Sequence, residues 1–158
     1  MSTSGQTVEQ SNNFMALEPR LVELARSAVE GMSPAVHVLT ASDLSGVSEN
    51  AQHTPAVHIV YGGYRVVADL GMTVKLEHTW LAVAAVRNVA KARSGAAARQ
   101  DAGLLLGRVA EVFLGASVQG ATTALAMATP PGARYSAGFQ YIPSAFKVET
   151  IFRKKQPQ

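Results

Sequence analysis

The segment TVKLEHTWLAVAAVRN, Thr73 to Asn88, constrains the fold more than any other part of the chain. Leu76, His78, Trp80, Ala82, Ala84 and Val86 fall on one face of an extended chain, and Glu77, Thr79, Leu81, Val83, Ala85 and Arg87 on the other. Side chains of a strand alternate between two faces, so this is strand periodicity. Strands average about five or six residues. One this long either runs past the core or changes neighbours along its length, and the rest of the fold has to be arranged around it.

Other segments supply partners. AVHVLT, Ala35–Thr40, reads as a short strand, followed by a loop or a brief helix begun by Ser42 or Asp43. AVHIVY, Ala56–Tyr61, reads as another; Gly62-Gly63 gives a turn or bulge into YRVVAD, Tyr64–Asp69, with antiparallel pairing, and Leu70-Gly71 gives a second turn. In SAFKVETIF, Phe146, Val148, Thr150 and Phe152 alternate with Lys147, Glu149 and Ile151. Gly115–Gly132 is Ala/Thr-rich with a Pro130-Pro131-Gly132 break and reads as loose extended chain.

Two segments have helical spacing. Pro19–Glu30 carries an apolar stripe of Leu17, Leu21, Leu24 and Ala28, a Pro near its start and Gly31 just beyond its end. Ser94–Phe113 repeats Ala98, Ala102, Leu105, Val109 and Val112, with Ser94 as its expected cap. Gly103 and Gly107 each cost about 1 kcal/mol of helix propensity relative to Ala, and close backbone packing is the expected reason for keeping them. The pattern predicts an α+β fold: a mixed, largely antiparallel sheet with two main helices packed on one face.

At 158 residues the chain suits one domain. Met1–Asn13 offers almost nothing to bury, so the domain is drawn as residues 17–153, between a flexible N-terminal tail, 1–16, and a basic C-terminal tail, 154–158. The polar start does not read as a signal peptide, and no apolar run reaches the roughly 18–20 residues of a membrane span. Charged residues are only 16% of the chain, against roughly 25% in an average soluble domain, which suggests that something besides water covers part of the surface. The absence of cysteine excludes thiolate chemistry and disulfides.

Candidate chemistry is sparse. His37, His53, His58 and His78 have no metal-ligand spacing and are expected to be structural, and no metal or cofactor is expected. YGGY and PPGAR match no phosphate-binding loop, and the SGAAAR helix opening reads as a structural turn. Asp43, Glu49, Asp69 and Glu77 form no evident acid–base pair, so no catalytic residue is assigned.

Charge, by contrast, is segregated. Met1–His58 carries two basic and six acidic residues, net −4, and Ile59–Gln158 twelve basic and five acidic, net +7. Arg87, Lys91, Arg93 and Arg99 cluster in VRNVAKARSGAAARQDAG, with Arg108 further along. This stretch has no aromatic residue for stacking bases, unlike a nucleic-acid grip. A solvated strand-to-helix corner is one reading. An interface is another, with acidic Glu18, Glu23 and Glu30 of the first helix facing that corner across a subunit boundary, a pairing that favours specificity more than affinity.

Read in order, LEPRLVELARSAV, TPAVHIVYGGYRV, HTWLAVAAVRN, ARSGAAARQDAGLLLGRV and YSAGFQYIPSAFKVETIF resemble the tail terminator proteins of long-tailed bacteriophages and related prophages, of the Mu-like type. The resemblance runs from about Leu17 to Phe152. Its most specific pieces are the apolar strand closing in VRN, the SGAAARQDAG helix opening and the aromatic strand before AFKVET. It implies a non-enzymatic α+β subunit of the virion, assembled in the host cytoplasm, that forms a homohexameric ring at the head-proximal end of the tail tube. Such a ring stops tube polymerisation and docks head–tail connector or neck proteins, while genomic DNA passes through its lumen without specific binding; no membrane is involved. The alternatives are another neck or head–tail joining protein, or a small basic nucleic-acid-binding module.

Overall fold

The structure, a computed structural model, describes residues 11–87 and 94–156. Helix α1 (Glu18–Val29) is followed by β1 (His37–Thr40), the one-turn helix α2 (Ala41–Leu44), a 3-10 turn at Glu49–Ala51, β2 (Ala56–Asp69) and β3 (Thr73–Arg87). Helix α3 (Ser94–Phe113), β4 (Ala126–Ala128), β5 (Arg134–Ser136) and β6 (Phe139–Arg153) complete it. The sheet order is β1-β2-β3-β6-β4, with β5 also on β6. Only β1 and β2 pair in parallel; the rest is antiparallel. The expected α+β architecture is therefore present, with α1 and α3 packed on one face of the sheet and against each other.

The long strand lies between the same two neighbours from Val74 to Ala85. β3 pairs with β6 from Thr73↔Arg153 to Arg87↔Phe139, and with β2 from Ala56↔Ala85 to Asp69↔Val74. Its length thus comes from running beyond the core. On the helix-facing side Trp80, Ala82 and Ala84 meet Phe146 and Val148 of β6, Leu21 and Ala25 of α1, and Leu105, Val109 and Phe113 of α3. The rings of Phe113 and Phe146 lie 4.9 Å apart at 56°, within the range of favourable tilted aromatic pairs.

Past Trp80 the sheet outruns the helices, and the N-terminal segment covers it. Phe14 stands edge-on to Tyr64, His78 and Phe152, at centroid distances of 5.1, 5.5 and 6.0 Å. The Asn12 side chain takes the N–H of Arg153 and gives to its carbonyl, both at 2.9 Å. Lys154 is held as well, its N–H on the Met72 carbonyl and its Nζ 3.0 Å from Asp69.

Several local expectations are corrected. Of the turn or bulge expected at Gly62-Gly63 the bulge forms, and Ala56–Tyr61 and Tyr64–Asp69 do not pair antiparallel but make one strand, β2, with a register shift between Tyr61 and Tyr64. Gly63 has φ +98°, and a Cβ at Gly62 would sit 3.1 Å from the Thr79 carbonyl oxygen, so glycine suits both positions of this bulge. Thr40, not Ser42 or Asp43, caps α2, its N–H bonding the Asp43 carboxylate at 2.8 Å. Part of Gly115–Gly132 forms β4, and the last strand begins five residues earlier than Ser144, at Phe139. Pro143 lies inside it. It falls between the stretches of β6 that pair β5 (Phe139–Tyr141) and β4 (Ala145–Lys147), where no outer partner asks for its missing N–H. Gly103 and Gly107 are exposed, and a Cβ at either would meet nothing within 4 Å. Close packing inside the chain does not explain them.

Candidate functional site

Those of the charged residues singled out from sequence that are described, Glu18, Glu23, Glu30, Arg87 and Arg99, do not meet one another. Glu18 is half-buried in the first turn of α1; Glu23 is exposed and bonded to Arg20 at 3.3 Å; Glu30 is exposed at the helix end. Arg87 closes β3, its guanidinium 4.8 Å from the Phe139 ring centroid and donating to the Asn50 carbonyl at 3.3 Å. Arg99 is exposed on α3. Lys91 and Arg93 lie outside the described residues. Among the described residues, no ion pair joins the acidic set to Arg87 or Arg99.

His78 is buried on β3 with both ring nitrogens engaged, Nδ1 with the Tyr61 hydroxyl at 2.7 Å and Nε2 with Thr150 Oγ1 at 2.8 Å. His58 is buried on the sheet's opposite face, and its Nε2 has no partner. His37 and His53 stack at 4.8 Å near the surface. Among the described residues, no three His, Cys, Asp or Glu side chains gather as metal ligands.

Burial pushes the imidazoles of His58 and His78 below their ordinary 6.5, because desolvation disfavours the charged ring. Near pH 6.5 the unfolded chain then binds more protons than the folded one, and stability rises with pH across that window. The denaturant midpoint should hold at about pH 7.5 and fall by about pH 5.5, with His58→Gln reducing the fall. A flat midpoint across this range contradicts the buried neutral rings.

The face away from the helices carries a polar latch. The Tyr141 hydroxyl donates to the Glu49 carboxylate, Ser136 Oγ donates to it at 3.0 Å, and the Gln52 amide donates to Tyr141 at 2.7 Å. The Arg134 guanidinium lies 4.7 Å from the Tyr141 ring centroid. The Tyr141 bond, with help from Ser136 and Arg134, holds Glu49 below the usual carboxylate range. The latch ties the segment around the 3-10 turn and the β5 hairpin to the sheet, bounding an open cavity of about 630 Å³ floored by Val60, Leu81, Val83 and Pro143. Glu49, Gln52, Ser136 and Tyr141 are linked in one network, while His58, whose Nε2 has no partner among the described residues, also lines the cavity. Sequence reading singled out none of Gln52, Arg134 and Tyr141 as site residues; the alternation of Phe139 and Tyr141, ahead of the strand expected from Ser144, was the available signal.

The far end of the β2–β3 hairpin presents apolar side chains instead. Tyr64, Val66, Leu70 and Met72 are 53%, 56%, 58% and 49% exposed. The opposite face there is charged, with Arg65 3.1 Å from Glu77 and Lys75 4.0 Å from Glu149. β1 pairs only Ala56–Ile59 of β2, and from Val60 to Asp69 the outer edge has no strand beside it among the described residues. Contiguous exposed apolar surface and an unpaired strand edge are features of surfaces that other chains cover.

Comparison with known families assigns the chain a structural role in the phage tail. The family model described as phage tail terminator protein matches residues 11–157, and the chain belongs to that family. No curated protein matches the sequence. No helix among the described residues is long and apolar enough to cross a membrane.

Proposed function

We propose that this chain, with one domain over residues 17–153, closes with copies of itself into a homohexameric ring at the head-proximal end of the tail tube. There it stops tube polymerisation and presents a docking surface to head–tail connector proteins, and genomic DNA crosses the lumen without specific binding. The family match over residues 11–157 carries this reading. The apolar hairpin end and open sheet edge support it, being surfaces suited to cover by other protein chains. The protein acts by shape, not by bond chemistry.

A cyclic ring repeats one heterologous interface, so each copy needs two different patches. Glu18, Glu23 and Glu30 form part of one, and Arg87, Lys91, Arg93 and Arg99 part of the other. Mass measurement of the purified protein, alone and mixed with tail tubes, should show a hexamer or a tube-bound ring; a strict monomer that ignores tubes opposes the reading. Reversing the charges of Arg93 and Arg99 together should weaken the ring, and reversal at Glu23 or Glu30 should partly restore it. Rings that form normally in the double reversal remove the charged patches from the interface.

A further inference from the structure

We infer that the copies of this chain join tip to cavity, the apolar turn Leu70–Gly71–Met72 at the end of the β2–β3 hairpin in one copy entering the cavity over Val60, Leu81 and Val83 in the next. The inference rests on the ring reading and names the two surfaces that close it.

Shape is the first observation. The turn projects two exposed apolar side chains, Leu70 and Met72. The cavity, about 630 Å³ and open, adds Leu44, Val47 and Pro131 to its apolar floor. Each surface leaves apolar area in water that the other would cover.

Position is the second. Val83 is ten residues from Thr73 along β3, about 33 Å at the rise of an extended strand. Each copy therefore offers its tip at one end of the long strands and its cavity towards the other, as a heterologous join requires. The cavity is floored by the face of the sheet, so an entering tip sets each copy at an angle to the last. Copies that turn at every join can close into a ring, whereas collinear joins extend as a fibre.

Charge is the third. From Ser27 to Tyr64 the chain has no Lys or Arg, and the arm on one side of the cavity, residues 41–52, carries Asp43 and Glu49. The tip is flanked by exposed Arg153, Lys154 and Lys155, tied to it by the Lys154 N–H on the Met72 carbonyl. Entry of the tip brings this basic flank to the acidic arm, and opposite charges around an apolar contact fix its register. Arg134, on the other wall, is engaged over the Tyr141 ring. Arg87 adjoins the same arm through the Asn50 carbonyl, and Glu18 opens α1 next to the segment that carries Phe14 at the hairpin end. The join therefore puts a member of each charged patch proposed above on its two sides.

The chain has no cysteine, so introduced thiols report without background. Val47 lines the cavity and is exposed, and Leu70 is too far from it to be bridged within one copy. In the variant carrying both Val47→Cys and Leu70→Cys, a short bis-thiol cross-linker should give a ladder of covalently joined oligomers. An equimolar mixture of the two single-cysteine variants should stop at dimers. Leu70→Asp with Met72→Asp, both at exposed positions, should abolish the ring while leaving the unfolding midpoint nearly unchanged. A wild-type ring with no ladder in the double-cysteine variant, dimers from Leu70→Cys alone, or a ring intact in the aspartate variant overturns the tip-to-cavity join and leaves the ring reading standing. A wild-type protein that forms no ring, alone or on tubes, overturns both.

Discussion

Phe146→Ala should lower stability by about 3–5 kcal/mol, the usual cost of emptying a phenylalanine site in a packed core. The ring is fully buried, lies 4.9 Å from that of Phe113, and stands beside Trp80 in the β3–β6 register. Its loss leaves a void between α3 and the sheet, and both are too rigid to close it completely. Denaturant unfolding measures the effect, with Lys147→Ala, next in sequence on the outer face, as a near-neutral comparison. A cost below about 1 kcal/mol would mean that the centre of the core lies elsewhere.

Phe14→Ala should cost about 2 kcal/mol, roughly half the figure for a fully buried ring because this one is half-buried. The residue touches Tyr64, His78 and Phe152, and the neighbouring Asn12 bonds to the β6 backbone. The same substitution should speed hydrogen exchange at the Arg153 amide, whose acceptor is Asn12. Unchanged stability and exchange would show that residues 11–16 do not dock on the sheet. Composition argued for a free tail because it counts polar residues; within residues 11–16, Asn12 and Phe14 make contacts with the sheet that such counting does not register.

Much of the fold was legible because periodicity reports burial. The alternation of β3 and the apolar stripes of α1 and α3 each predicted the right element, since a strand buries every second residue and an amphipathic helix about every third or fourth. Glycine was ambiguous, since Gly62-Gly63 allowed a turn or a bulge. The bulge formed, and the last strand begins five residues before Ser144, because the partners that decide such outcomes are distant in sequence. The site was less legible still. Charge clusters are visible in a string of letters, which is why Glu23 and Arg99 drew attention, whereas an unpaired edge is a property of sheet order and has no residue signature. The latch of Glu49, Gln52, Ser136 and Tyr141 joins positions about ninety residues apart, and spacing could not have brought them together.

Because β3 is flanked by β2 and β6 from Val74 to Ala85, load applied along its axis is shared by the two ladders in shear, and they do not peel bond by bond. The central three strands therefore behave as a stiff beam, and compliance is left to the parts outside them: the 41–52 segment, the β5 hairpin and the fringe beyond β1.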